Sequence, residues 1–190
     1  MKLVILDRDG VINTDSDTFV KSADEWVPIE GSIDAIARLS KAGFTVVVAT
    51  NQSGLGRNLF DLDDLEAMHK KMIELVEDAD GELAGIFYCP HHPDDNCHCR
   101  KPKPGLIDAI ENEFCTTARN AFFVGDSLRD LQAAVAKQCR PILVKTGKGE
   151  KTVKELDTTD IFNTSDNGKI NKLAIFDDLA AATNFIINNH

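Results

Sequence analysis

No apolar run in the chain approaches the length of a transmembrane helix, so a helical membrane protein is excluded and no membrane partner is expected. There is no internal repeat and no low-complexity tract, which removes solenoids and fibrous arrays. Basic charge is in deficit, with 21 Lys and Arg against 31 Asp and Glu and a net charge of −10. That balance disfavours a non-specific nucleic-acid surface, and no nucleic-acid partner is expected. It does not exclude a phosphorylated small molecule, because an acidic protein still binds anions locally. No signal-peptide pattern precedes the first apolar run, and no linker-like stretch divides the sequence. The expectation is one cytoplasmic domain over residues 1–190, large enough to bury a real core, acting as a monomer.

The chain does carry a regular alternation of strand-like and helix-like segments. Leu3–Leu6, Phe44–Ala49, Ala84–Tyr88, Ala121–Val124 and Pro141–Lys145 are short apolar runs of the kind buried in parallel sheets. Helical spacing predicts helices over Glu30–Ala42, Leu62–Val76, Pro104–Phe114, Leu128–Lys137 and Asp177–Ile187. The polar segment from Lys148 to Lys172 offers only one edge-strand candidate, near Asp160–Asn163. The fold class is therefore α/β, a parallel sheet with helices on both faces. In such a sheet, ligands sit beyond the carboxyl ends of the strands.

Polar clusters follow three of those strands: Asp7 and Asp9, Thr50 to Gly54, and Gly125-Asp126. A fourth, Arg100-Lys101-Pro102-Lys103-Pro104-Gly105, precedes a helix. Together they supply carboxylates for a hard cation, a hydroxyl and amides for oxyanions, and fixed positive charge. Phosphoryl transfer needs those parts, since its catalysis is chiefly positioning and charge neutralisation. Taken singly, Asp126 could be only a helix cap and Thr50 only a turn residue. The five cysteines include a tight group within Cys89-Pro90-His91-His92-Pro93-Asp94-Asp95-Asn96-Cys97-His98-Cys99. Three thiolates and one imidazole make a structural zinc set, with His91, His92 and His98 competing for the imidazole place. Cys115 and Cys139 lack partners at metal spacing and read as buried small apolar residues.

Asp7-Arg8-Asp9-Gly10-Val11-Ile12-Asn13, Thr50-Asn51-Gln52-Ser53-Gly54, Arg100-Lys101-Pro102 and Gly125-Asp126-Ser127-Leu128-Arg129-Asp130 resemble, in order, the four motifs of haloacid dehalogenase (HAD) superfamily phosphatases. The resemblance runs from Leu3 to about Gly147 and implies a Rossmann-like HAD fold. It also implies a Mg²⁺ ion held by the carboxylates of Asp7 and Asp126 and the backbone carbonyl of Asp9. Asp7 would be the nucleophile forming an aspartyl-phosphate, and Asp9 the general acid and base. Thr50 and Lys101 would neutralise the transferring phosphoryl oxygens, with Asn51 helping and Asp130 supporting the metal shell. Arg8 receives no role, since a solvated charge beside the site accounts for it. No insertion is long enough to form the cap domain seen in other members, so the site is expected to be open.

The Cys-Pro-His…Cys-x-Cys-Arg-Lys-Pro run resembles the zinc loop of one branch of these phosphatases, which favours Cys89, His91, Cys97 and Cys99 as ligands. Zinc there would be structural, stiffening the approach to Arg100 and Lys101. Two zinc-loop branches are similar, one hydrolysing heptose bisphosphate in bacterial heptose-nucleotide assembly, the other histidinol phosphate. The segments Thr50–Arg57 and Gly125–Ala134 look more like the heptose branch, and the histidinol branch usually has an acidic residue where Ser53 stands. Expected substrate contacts are Asn51, Ser53, Asp15, Thr18 and Arg100, the last on the distal phosphate of a small phosphorylated sugar. The alternatives are a histidinol-phosphate phosphatase, a phosphotransferase with a sugar acceptor, and a zinc-stabilised binding module without catalysis.

Overall fold

The computed structural model describes residues 1–156 and 173–190. The chain runs through β1 (Lys2–Leu6), α1 (Ser32–Lys41), β2 (Phe44–Asn51), α2 (Ser53–Gly56), α3 (Leu62–Asp78) and β3 (Gly85–Cys89). A short 3₁₀ turn at Pro93–Asp95 follows, then α4 (Gly105–Glu113), β4 (Phe122–Gly125), α5 (Leu128–Ala136), β5 (Arg140–Val144), α6 (Gly149–Leu156), β6 (Ala174–Phe176) and α7 (Leu179–Asn188). The strands pair in the order β3-β2-β1-β4-β5-β6, every described pair parallel.

The apolar runs are continuous because both faces of the sheet are covered. Val4, Leu6, Val46 and Val48 pack with residues of α1, α3 and α7 on one face. Leu3, Ile5, Val47 and Ala49 pack with α4 and α5 on the other. The α/β expectation with helices on both faces is thus met. The ends of the expected elements lie within two residues of expectation, as helix fraying and strand-end turns allow. Three elements were not expected: α2, a single turn directly after β2, and then α6 and β6. α6 lies at the start of the polar segment, where it buries little beyond Gly149 and Thr152 and so leaves no apolar stripe in the sequence. β6 is three residues long, too short for a periodic signal. The edge strand expected near Asp160–Asn163 lies outside the described residues.

The order of the sheet determines where a ligand can go. Connections run one way from β1 to β2 and β3 and the other way from β4 outward, so a crevice opens beyond the ends of β1 and β4. Leu6 is in register with Val48 and Val124, which sets Asp7, Thr50 and Asp126 within two residues of one level at the sheet's carboxyl edge.

Candidate active site

Asp7 leaves β1 with its backbone N–H donating to Val124 O (2.9 Å). The chain then turns at Gly10, whose φ is +83°. A Cβ there would lie 2.1 Å from Asp126 Oδ2, and one at Gly147 2.2 Å from the same oxygen. Both glycines are required by how closely these loops approach the Asp126 carboxylate. That carboxylate also accepts the Lys148 backbone N–H at 2.7 Å.

Asp7, Asp126 and Asp130 bring their carboxylate oxygens within 4.8 Å of one another. Burial and the repulsion of Asp130 and Asp126 hold the Asp7 carboxyl well above the usual range, against the opposing charge of Lys101. Burial, with Asp130 next, pushes Asp126 up to about 7. Clustered buried carboxylates of this kind are short of positive charge, and oxygen donors suit Mg²⁺. The donor set at Asp7 and Asp126 therefore fits that ion.

One cation is already present. Lys101 is 2% exposed, and its ammonium donates to Ala49 O at 2.8 Å while pairing with Asp7 Oδ1 (2.9 Å) and Asp130 Oδ1 (2.6 Å). One hydrogen bond and two ion pairs thus surround the ammonium. Burial works against its charge, but Asp130 and Asp7 keep its pKa raised. The sequence reading set Lys101 on phosphoryl oxygens; here it lies on the expected nucleophile. Asp130 completes the ion pair and accepts from Ser127 N (3.0 Å) and Ser127 Oγ (2.6 Å), capping α5. Asn51 holds Lys101 in place through two backbone bonds, Lys101 N–H to Oδ1 (3.0 Å) and Nδ2 to Lys101 O (3.1 Å). Its amide thus bonds the chain on both sides, while the residue also lines the cavity of the site.

Arg8 corrects the sequence reading. It is 1% exposed, buried behind Asp9 and not solvated. It donates to the Asp9 carboxylate from Nη2 (3.0 Å) and Nε (3.3 Å), and Asn13 Nδ2 (2.9 Å) and Gln52 Nε2 (2.8 Å) donate to it as well. Burial alone would raise the Asp9 carboxyl, but the Arg8 charge and these hydrogen bonds hold it below the usual range. His69 Nε2 lies 3.5 Å from Arg8 Nη1, and burial with the Arg8 charge lowers the His69 pKa to about 4. Arg8 and His69 could not be assigned from sequence because their partners lie 44 and 61 residues from Arg8.

A cavity of about 460 Å³ opens above this floor. Asp7, Asp9, Thr50, Asn51, Ser53, Arg100, Lys101, Asp126 and Asp15 all line it. Thr18 does not. It is exposed and bonds Ser16 instead, while Phe19 (φ 66°) turns to the cavity beneath the Arg57 guanidinium. Asp15 pairs with Lys148 Nζ at 2.7 Å, a contact between segments far apart in the chain. Arg57, Arg100 and Arg129 line one side, and none has an ion-pair partner among the described residues. Burial and the charges of Arg129 and Arg57 lower the Arg100 pKa, and its buried Nη1 has no hydrogen-bond partner among the described residues.

Cys89, His91, Cys97 and Cys99 converge at the end of β3. Cys89 Sγ lies 3.6 Å from His91 Nδ1 and from Cys97 Sγ, His91 Nδ1 lies 3.2 Å from Cys99 Sγ, and Cys99 Sγ lies 3.5 Å from Cys97 Sγ. An ion ~2.3 Å from each sulfur sets tetrahedral edges of about 3.8 Å, so the set fits zinc with little adjustment. Burial and the neighbouring Cys89 and Cys97 sulfurs push the Cys99 thiol up to about 12, so the crowded thiolates call for a cation. The rival histidines are occupied elsewhere, His92 accepting from Asp94 N (3.3 Å) and His98 Nε2 pairing with Asp108 (2.8 Å). Cys139 is buried as expected, but Cys115 is exposed, at φ 46° just beyond α4.

A parallel sheet with a carboxylate cluster at this crevice is the arrangement that the HAD resemblance implies, and the comparisons with known proteins place the chain among phosphoric monoester hydrolases of that kind. The family model "Polynucleotide kinase 3 phosphatase" matches residues 2–167. The D-glycero-beta-D-manno-heptose-1,7-bisphosphate 7-phosphatase of Pseudomonas putida is 52% identical over 187 residues, 98% of this chain and 100% of that one. The enzyme of the same name from Neisseria meningitidis serogroup A is 59% identical over 155 residues, 82% of this chain and 83% of that one. The crystal structure of D,D-heptose 1,7-bisphosphate phosphatase from B. bronchiseptica, complexed with magnesium and phosphate, superposes with a TM-score of 0.89 at 47% identity and full coverage of both chains. The chain belongs to this heptose-bisphosphate phosphatase family.

Proposed function

We propose that the protein, folded as one domain, removes the 7-phosphate of D-glycero-D-manno-heptose 1,7-bisphosphate, supplying a step of bacterial heptose-nucleotide synthesis. The observation that carries the reading is the group of Arg57, Arg100 and Arg129, which line the same cavity as Asp7 and have no ion-pair partner among the described residues. A bisphosphate needs a second cationic site beside the reacting one, and a guanidinium holds phosphate bidentately. Histidinol phosphate would bring a cationic amine towards those arginines.

In the proposed reaction, a carboxylate oxygen of Asp7 attacks the 7-phosphorus in line. The phosphorus–alkoxide bond breaks, and the alkoxide takes its electron pair and a proton from Asp9. The phosphoryl dianion entering beside Asp9 raises that carboxyl's proton affinity, offsetting the grip of Arg8. A water then gives its proton to Asp9 and attacks the same phosphorus. That proton re-forms the Asp9 acid as the bond from Asp7 to phosphorus breaks and the Asp7 carboxylate and phosphate separate. Asp7 and Asp126, with the Asp9 carbonyl, would hold Mg²⁺, which neutralises charge developing on the transferring group. Lys101 holds Asp7 in its attacking position, and Thr50 faces the phosphoryl oxygens. Zinc at Cys89, His91, Cys97 and Cys99 does no chemistry and fixes the chain leading to Arg100. The protein acts on a small phosphorylated sugar in the cytoplasm, as a monomer.

The test compares kcat/KM for heptose 1,7-bisphosphate and histidinol phosphate on one preparation with Mg²⁺. A preference of about 100-fold or more for the bisphosphate is expected from its second charge-assisted contact. Equal values, or a preference for histidinol phosphate, would contradict the reading.

A further inference from the structure

Gln52 follows β2 and stands at the N-terminal boundary of α2, where a polar residue would ordinarily cap the helix. Its side chain makes no capping bond there. It is 4% exposed and turned inward, onto three groups of the candidate site. Its Oε1 accepts from Arg8 Nη2 at 3.1 Å. Its Nε2 donates to Asp9 Oδ2 at 2.8 Å and to Thr50 Oγ1 at 2.9 Å.

The chemistry of the partners fixes which way this amide points. A guanidinium only donates, so the amide oxygen must face Arg8, and both amide protons then face Asp9 and Thr50. Arg8 cannot swing away, being buried and held also by both Asp9 oxygens, with the His69 ring behind it and Tyr88 5.7 Å beyond. The Gln52 bond to Thr50 occupies an acceptor position on that hydroxyl. Its own proton is left to be donated outward, where a phosphoryl oxygen would lie.

We propose that Gln52 is a positioning residue that locks the Asp9 carboxylate and the Thr50 hydroxyl into one rigid unit, so that proton delivery to the leaving alkoxide is aligned with the phosphoryl contact. This rests on the reaction proposed above, in which Asp9 gives its proton to the departing oxygen as the phosphorus–oxygen bond breaks. Gln52 touches no reacting atom. Its effect is geometric, and misplacement by about 1 Å is enough to cost on the order of 10²-fold in rate.

The test exploits the leaving group. A primary alkoxide needs the proton, whereas p-nitrophenolate leaves without it. Gln52→Met removes both donors at nearly constant length, and Gln52→Glu keeps an oxygen for Arg8 while removing the same donors. Both should lower kcat for heptose 1,7-bisphosphate by about 100-fold and kcat for p-nitrophenyl phosphate by about tenfold or less, with KM little changed. Asp9→Asn, measured alongside, should show the same split more strongly. Equal losses on both substrates in the Gln52 variants, or wild-type rates on both, would overturn the proposal even where Asp9→Asn shows the split. Equal losses in Asp9→Asn would remove the proton-transfer role itself, and this inference with it. Using two Gln52 variants keeps the question answerable if one fails to fold.

Discussion

The molecule holds two clusters that fit metal ions, and they are built in opposite ways. The cysteine–histidine cluster draws its four ligands from eleven consecutive residues, on a loop that is partly exposed. The carboxylate cluster draws on positions 7, 126 and 130, brought together only because β1 and β4 are neighbours in the sheet. The first has no cation beside its sulfurs among the described residues, and an ion would reconcile them. The second already contains the buried ammonium of Lys101, bridging Asp7 and Asp130. A local loop can be closed by a metal and serve as a strut. The carboxylate site is held by the fold itself, with part of its negative charge offset by Lys101 before any ligand arrives. The two meet at one point, where Cys99 leads through Arg100 to Lys101, and Asn51 on β2 fastens Lys101 by both backbone groups.

The comparison breaks most severely at the carboxylate end. Asp7→Asn removes the attacking oxygen and should lower turnover by more than about 10³-fold, with zinc content unchanged by metal analysis. Normal multiple-turnover rates in that variant would exclude a covalent intermediate on Asp7. Next in size is Lys101→Met, which leaves Asp7 and Asp130 buried without their shared cation. A loss of about 3–5 kcal/mol in urea unfolding with chelator present is expected, since an uncompensated buried charge is costly. Unchanged stability would mean that the ammonium does not balance these carboxylates.

The smallest effect concerns the buried network behind Asp9. His69 titrates from its unfolded value of 6.5 down to about 4 in the fold, so the unfolded chain takes up its proton first on acidification. Its contribution is therefore present above pH 6.5 and is lost progressively as pH falls towards 4. His69→Gln should flatten the fall in stability between pH 7 and pH 5 by about 2 kcal/mol, read from unfolding midpoints at the two pH values. Parallel acid slopes in the two proteins would show that His69 is not held neutral beside Arg8.

The same contrast explains what could be read from sequence. The zinc-ligand set is local, so spacing and motif were enough, and the structure also separates His91 from His92 and His98. The strands and long helices were legible because burial on two faces writes itself as apolar runs and 3.6-residue periodicity. The cavity-lining positions of Asp7, Asp9, Thr50 and Asp126 followed from placing motifs at strand ends. What was hidden depends on distant partners. Arg8 reads as a surface charge because nothing near it in sequence announces Gln52 and His69, and the pairing of Lys101 with Asp7 and Asp130 is equally invisible in its own motif. Thr18 failed for a different reason. The chain turns at Phe19 in a left-handed conformation that sends Phe19, not Thr18, to the cavity.

The most direct measurement of the division between the two clusters is the Mg²⁺ activation curve of Cys97→Ser beside the unaltered protein, with zinc quantified in both. The account predicts loss of zinc, a lowered kcat as Arg100 and Lys101 loosen, and an unchanged Mg²⁺ concentration for half-activation. Full activity in the zinc-free variant, or a half-activation point that rises as zinc is lost, would contradict it.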